Sequence, residues 1–429
     1  MADSYLSMAT FHLLFYSILF SSCYLDKFSV YGANHQMKSL LPVSASLTST
    51  NKGSKGQCQG LNCQEKSEPN SQKILLQDNY RFRSLKSIEV VNKYGEGIRL
   101  PLTLKGDDNF LTTVGFGTPK IDFTLIFDTG SDKTWINCNN NQVPFFDPSS
   151  SSTSSNVSCN PCNYRADYAD GTYSTGYYAN DTLTITSNPY PNFVFGCAQE
   201  IKGNFGGANG LLGVGPGQFS LMAQTDTSYF SLFCYCLPAT ESSTGYIVFG
   251  VQAYETCQPD ENKMIPIGPA PTDKSTLTSY SVKLTAITIG QQRLPMSSSL
   301  NAVIDSGTVI TRLPPSLYSS LSSAFQGLMS QYPRAPRSPP LLDICYNLVG
   351  HTNWTPPNMV LQFEGLNVPL EPSAVTFRDK NDSQVCLAFA RNVKEDDLII
   401  IGNKQHRALN IFFDISNKNM AFGRGCSNI

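Results

Sequence analysis

The sequence predicts an all-β protein built as two similar lobes, and three observations carry that expectation. The 429 residues are 41% hydrophobic and only 15% charged, with many Gly, Pro, Ser and Thr, a balance that suits short strands and turns. From about residue 97, β-branched and aromatic runs recur between clusters of Gly, Pro, Asn and Ser, at 110–114, 123–127, 182–186, 193–195, 246–249 and 281–289. An apolar strand that ends in an acid-bearing turn occurs twice, at Asp128 and at Asp305, 177 residues apart, which is one lobe's length.

Taken in order, the chain opens with an apolar run at 9–20 followed by Ser-Ser-Cys. The run is too short to span a bilayer and reads as part of a cleaved signal peptide, residues 1–23. No Lys or Arg precedes Lys27, and Asp3 has the wrong sign, so a plastid transit segment is the alternative. Residues 1–95 carry 10 Lys and Arg against 6 Asp and Glu, while the rest of the chain carries 21 against 27, so a basic leader precedes an acidic body. Residues 34–72 are polar and without period. Residues 73–90 place Leu75, Leu76, Tyr80, Phe82 and Leu85 roughly on one face of a basic amphipathic helix. It is either a solvated linker or part of a propeptide, 24–97, that lays positive charge over an acidic cleft. The two lobes are expected at 98–265 and 276–429, joined by the Pro-rich stretch 266–275, with a helix at 314–329 that carries Leu317, Leu321, Phe325 and Leu328 on one face. Later apolar runs are all short, so no transmembrane helix is expected.

Of the 13 cysteines, ten lie between Cys138 and Cys426, an even set that fits disulfides in an oxidising compartment. Cys159 and Cys162 have C-x-x-C spacing, but no second such pair and no H-x-x-x-H accompanies them, so no metal is expected. Sequons at Asn156, Asn180, Asn353 and Asn381 agree with N-glycosylation on a secretory route to the extracellular space or the vacuole.

The chemistry rests on the repeated turn. Asp128-Thr129-Gly130-Ser131 follows one apolar strand, and Asp305-Ser306-Gly307-Thr308 follows another. Gly130 and Gly307 permit the tight turns. Two carboxylates brought within hydrogen-bonding distance hold one proton between them, so one acts as base toward a water and the other as acid toward a carbonyl. Attack on a peptide bond then needs neither cofactor nor covalent intermediate. Ser131 and Thr308, each three residues after its Asp, are placed to donate hydrogen bonds that orient the carboxylates. An acid pH optimum belongs to the pair. A second echo places Gly213 and Gly402 at the ends of later apolar strands, 210–213 and 398–402.

These features resemble the pepsin-like aspartic peptidases, and the strings G-F-G-T-P-K, F-F-D-P-S-S-S-S-T, Y-C-L-P, I-D-S-G-T-V-I-T-R-L-P-P, V-C-L-A-F-A and I-G-N resemble their plant nepenthesin-like branch over nearly all of 98–429. H-Q-M-K-S-L-L-P, Y-P-R-A-P and S-Q-V-C-L-A-F-A look most like the group that includes a chloroplast-nucleoid DNA-binding aspartic protease. The resemblance implies the bilobal fold with β-barrel-like lobes and a few short helices, a zymogen and an endopeptidase activity. It also implies polypeptide substrates, sensitivity to pepstatin-type inhibitors and a monomer free in solution. Tyr168 matches the flap tyrosine and Trp135 the indole that meets it, while Gly213 and Gly402 match the glycines under which the active-site loops pass. The disulfides it implies are Cys236 with Cys426, Cys345 with Cys386, and Cys197 with a cysteine of the N-lobe insert such as Cys138, leaving Cys234 and Cys257 unplaced. The chain departs from the branch in a shortened, cysteine-poor insert after Trp135 and in Lys133, where an apolar residue is usual. Two other functions fit the sequence less well: a non-catalytic binding or inhibitor protein on the same fold, disfavoured because both Asp are present, and nucleic-acid binding, disfavoured by the acidic body.

Overall fold

The computed structural model describes residues 97–429, apart from 106–108, 156, 158–161, 169–170, 226–229, 269–278, 295, 297, 338–340, 352, 379–382, 424–425 and 427–429. The leader readings over residues 1–96 lie outside these, as do Cys159, Asn156 and Asn381.

The strand Ile98–Lys105 buries Ile98, Leu100, Leu102 and Leu104 and exposes the residues between them, the period of two that a half-buried strand requires. It pairs antiparallel with Thr244–Phe249 and with Asn109–Phe116. Asn109–Phe116 pairs in turn with Ile121–Asp128, from Leu111 opposite Ile126 to Phe116 opposite Ile121. Ile121–Asp128 is exposed at its first two residues and buried at its last four, so it runs inward from the surface and its final residue is a carboxylate. There it pairs parallel with Gly210–Gly213, Asp128 opposite Gly213. The second half repeats the device. Leu300–Ile304 pairs antiparallel with Ser281–Ile289 and parallel with Ile399–Ile401, so that Asp305 and Gly402 follow the paired ends.

Among the described residues the strands form sheets of thirteen, eight and four, which makes the protein all-β with few helices. The final pair, Asn410–Asp414 and Asn419–Gly423, does not join the eight-stranded sheet of its own half. It extends the thirteen-stranded one, with Asn410–Asp414 antiparallel to Leu232–Cys236. A division of the chain at 266–275 therefore does not separate the two sheets. A disulfide between Cys236 and Cys426 pins the same joint, and beneath it lies an aromatic cluster that is wholly buried. Phe233 and Phe413 stack at 4.5 Å, Tyr280 lies 4.6 Å from Phe413, and Tyr235 meets Phe127 at 5.1 Å. Through Phe127 the cluster reaches the strand that carries Asp128.

The predicted helix is present as Pro315–Leu328, with Leu317, Leu321 and Phe325 buried. Leu328, expected on the same face, is 47% exposed, and the neighbouring Met329 is buried in the core instead. Pro314 offers no capping side chain, and Glu395 takes its place by accepting from the Ser316 amide at 3.1 Å and from the Ser316 hydroxyl. No helix among the described residues is long and apolar enough to cross a membrane.

Candidate active site

Asp128 ends its strand and is 4% exposed. Its Oδ1 accepts from the Gly130 amide at 2.8 Å and its Oδ2 from the Ser131 hydroxyl. Asp305 is held in the same way: its Oδ1 accepts from the Gly307 amide at 2.8 Å and the Thr308 amide at 3.2 Å, and its Oδ2 from Thr308 Oγ1 at 2.6 Å. The two turns interlock. A methyl group on Gly130 would stand 2.6 Å from the Asp305 carboxyl carbon, and one on Gly307 would stand 2.5 Å from Asp128 Oδ1. Each glycine thus makes room for the opposite carboxylate as well as for its own turn.

A second set of bonds crosses between the halves. The Thr129 amide donates to Ser306 Oγ at 3.0 Å and the Ser306 amide to Thr129 Oγ1 at 2.9 Å. Thr129 Oγ1 donates onward to the Ile304 carbonyl and Ser306 Oγ to the Phe127 carbonyl. These two hydroxyls are fully buried and satisfied, so the pair of turns behaves as one unit. Behind each turn a glycine strand passes close. A methyl on Gly213 would meet the Lys133 backbone at 2.7 Å, and one on Gly402 would meet the Val309 carbonyl at 2.7 Å. The Gly213 amide donates to Thr134 Oγ1 at 3.1 Å and the Gly402 amide to Thr311 Oγ1 at 2.9 Å. Thr134 and Thr311 each stand six residues after an Asp, a signal present in the sequence that residue-type reasoning passed over. Asn403, which donates to the Ser306 carbonyl at 3.0 Å, was missed as well.

Electrostatics follow from this geometry. Burial is the largest influence on Asp128 and the negative charge of Asp305 the next, and together they hold its carboxyl far above the ordinary carboxylate range. Bonds from Ser131 and Gly130 pull the other way and do not win. The raised carboxyl faces a second one, an arrangement in which one can act as acid while the other acts as base.

The expected flap residue, Tyr168, follows the strand Asn163–Asp167, and its hydroxyl accepts from Trp135 Nε1 at 2.7 Å. Phe205, not singled out from the sequence, sits edge-on to both rings, 5.2 Å from Trp135 and 5.7 Å from Tyr168. Disulfides join Cys138 to Cys197, Cys236 to Cys426, Cys345 to Cys386, and Cys234 to Cys257. The last pair had no assignment from the sequence. Asn353 lies exposed in a turn, whereas Asn180 sits within Tyr173–Ile185 with its side-chain oxygen buried. Among the described residues no group of three His, Cys, Asp or Glu is arranged to hold a metal ion.

The family described as "Eukaryotic aspartyl protease" matches residues 109–424, a span that includes both turns. The chain belongs to that family. Aspartyl protease AED1 of Arabidopsis thaliana is 35% identical over 91% of this chain and 91% of its own length. Another Arabidopsis thaliana protein, an aspartyl protease family protein, is 34% identical over 91% of this chain and 92% of its own. Aspartic proteinase nepenthesin-2 of Nepenthes gracilis is 29% identical over 79% and 82%. Among solved structures, basic 7S globulin from soybean superposes with a TM-score of 0.64 at 17% identity, over 78% of this chain and 99% of that one, a likeness of fold alone. Membership in the aspartyl protease family supports a hydrolase acting on polypeptides and open to pepstatin-type inhibitors.

Proposed function

We propose that this protein is an aspartic endopeptidase, with Asp128 and Asp305 as the catalytic dyad. The observation that carries this reading is the matched pair of carboxylates, each with its own hydroxyl and amide donors and each fitted over the other's glycine. A water held between them loses a proton to the ionised carboxylate as it attacks the peptide carbonyl, while the protonated one donates to the carbonyl oxygen. The resulting gem-diol collapses as the amine leaves with a proton. Ser131 and Thr308 orient the carboxylates, and Tyr168, tied to Trp135, covers the substrate and excludes water. The active form has one proton on the pair, so activity falls below the pair's lower pKa and again above its upper one. Because Asp128 is raised, the alkaline limb lies above the range of an ordinary carboxylate.

On this reading the basic leader is a propeptide and the protein a zymogen, delivered through the secretory pathway to the extracellular space or vacuole, with plastid import as the alternative. The leader and Y-P-R-A-P strings resemble the chloroplast-nucleoid group, and that resemblance is what supports reading the chain as one of its members. To test the reading, residues 24–429 are expressed, acidified, and followed for cleavage of a denatured protein with and without pepstatin, beside Asp128→Asn. Pepstatin-sensitive cleavage that the variant lacks supports it. Equal inertness of both after removal of the leader would sink it.

A further inference from the structure

We propose that Lys133 is a flap-positioning residue, which fastens the active-site loop to the base of the flap hairpin. Its Nζ donates to the Arg165 carbonyl at 3.0 Å. Arg165 lies in Asn163–Asp167, the terminal strand of the thirteen-stranded sheet and the strand that leads into Tyr168. The carbonyl of a terminal strand is ordinarily left to water, and a lysine on such a surface ordinarily keeps its ammonium there too. Here each satisfies the other across 32 residues of chain.

Three surroundings make this bond a lever and not an incidental contact. The Lys133 backbone is fixed, because Gly213 presses against its N, C and O atoms, each within 2.8 Å of where a methyl would stand. The receiving strand is stiffened by its own side chains: the Arg165 guanidinium pairs with both Asp167 oxygens and lies 4.1 Å over the Tyr173 ring on the neighbouring strand. Two residues beyond Lys133, Trp135 holds the Tyr168 hydroxyl. The segment 133–135 therefore grips the hairpin at two points, near its base through Lys133 and at the flap tyrosine through Trp135. Both bonds run from a nitrogen donor to an oxygen that is not a carboxylate, so acidification does not break them by protonating a partner.

The kinetic consequence rests on the peptidase reading, while the mechanical one does not, and the test separates them. The chain has two tryptophans, so in a Trp354→Phe background the indole of Trp135 reports alone on the flap contact. Lys133→Met is expected to raise acrylamide quenching of that indole by about twofold or more, and to raise KM for a peptide and the pepstatin Ki by about three- to tenfold with kcat within about twofold, the scale of one lost hydrogen bond. Lys133→Arg, which keeps a donor, is expected to restore both. Unchanged quenching and KM in Lys133→Met would overturn the proposal, as would a fall in kcat and melting temperature together, the mark of general damage. If the parent cleaves nothing yet quenching responds as described, the tether stands and the peptidase reading fails.

Discussion

Asp128 shows how a site can cost a protein stability. Its carboxyl is raised in the folded state, so the native protein holds a proton there that the unfolded chain gives up near pH 4. The stability it contributes is therefore greatest below about pH 4 and is lost as pH rises toward the raised value. Asp128→Asn should abolish cleavage and, measured by denaturant unfolding at pH 7, stabilise the fold by about 1–2 kcal/mol, with little change at pH 4. His406 works in the opposite direction. Its ring is wholly buried with Nδ1 3.2 Å from the Tyr235 hydroxyl, and burial, partly offset by the Ile401 carbonyl, pushes its pKa down to about 3. The unfolded chain takes up a proton near pH 6.5 that the folded one refuses, so stability drains away from pH 6.5 down toward 3. Whatever His406→Gln costs at pH 7, it should recover about 1–3 kcal/mol relative to the parent at pH 4, and equal effects at the two pH values would refute this. The two acid turns and their hydroxyl donors were legible because they repeat along the chain. His406 and Tyr235 were not, since nothing in a lone His or Tyr tells which aromatic cluster it will join.

At the level of elements, the repeated unit is a strand, an acid turn, and a later glycine strand laid parallel to the first, and both copies could be read from the apolar runs before Asp128 and Asp305. What hid from view was the bond network that joins them. Thr129 and Ser306 looked like turn residues, and their sequence neighbours say nothing of a partner 177 residues away. Because their bonds are reciprocal and buried, their loss should be strongly non-additive. Thr129→Val and Ser306→Ala should each cost about 1–3 kcal/mol by leaving buried donors unmet, while the double variant should cost less than their sum by at least about 0.5 kcal/mol in a thermodynamic cycle. Additive values would mean that the two hydroxyls act separately. The long hairpin of Tyr173–Ile185 and Asn188–Lys202 also escaped the sequence reading except at 182–186 and 193–195. Many of its residues are only partly buried, and its Tyr, Thr, Asn and Pro blur the alternation that marks a strand.

On the scale of the whole molecule, two similar lobes invite the expectation that they unfold one after the other, as separate domains do. The sheet order argues otherwise. The last strands of the chain complete the sheet of the first half, Phe413 stacks on Phe233 with an interplanar angle of 4°, and Cys426 is bonded to Cys236. Tyr280, at the start of the second half, donates to the Val214 carbonyl of the first at 2.7 Å. Melting either half thus strips partners from the other, and the bonded pair of acid turns forms only when both are in place. Calorimetry of residues 98–429 at a pH where unfolding is reversible should give one transition with calorimetric and van't Hoff enthalpies in agreement. Phe413→Ala should lower that single transition by the equivalent of about 3–5 kcal/mol without splitting it, since the cavity opens at the joint and not inside one lobe. Two resolved transitions in the parent protein, or a variant that shifts one of two, would show that the lobes are stable apart and that the shared sheet is an accessory. In the cooperative case, pepstatin binding at the dyad should raise the whole transition, because no part of the described fold can melt and leave the site behind.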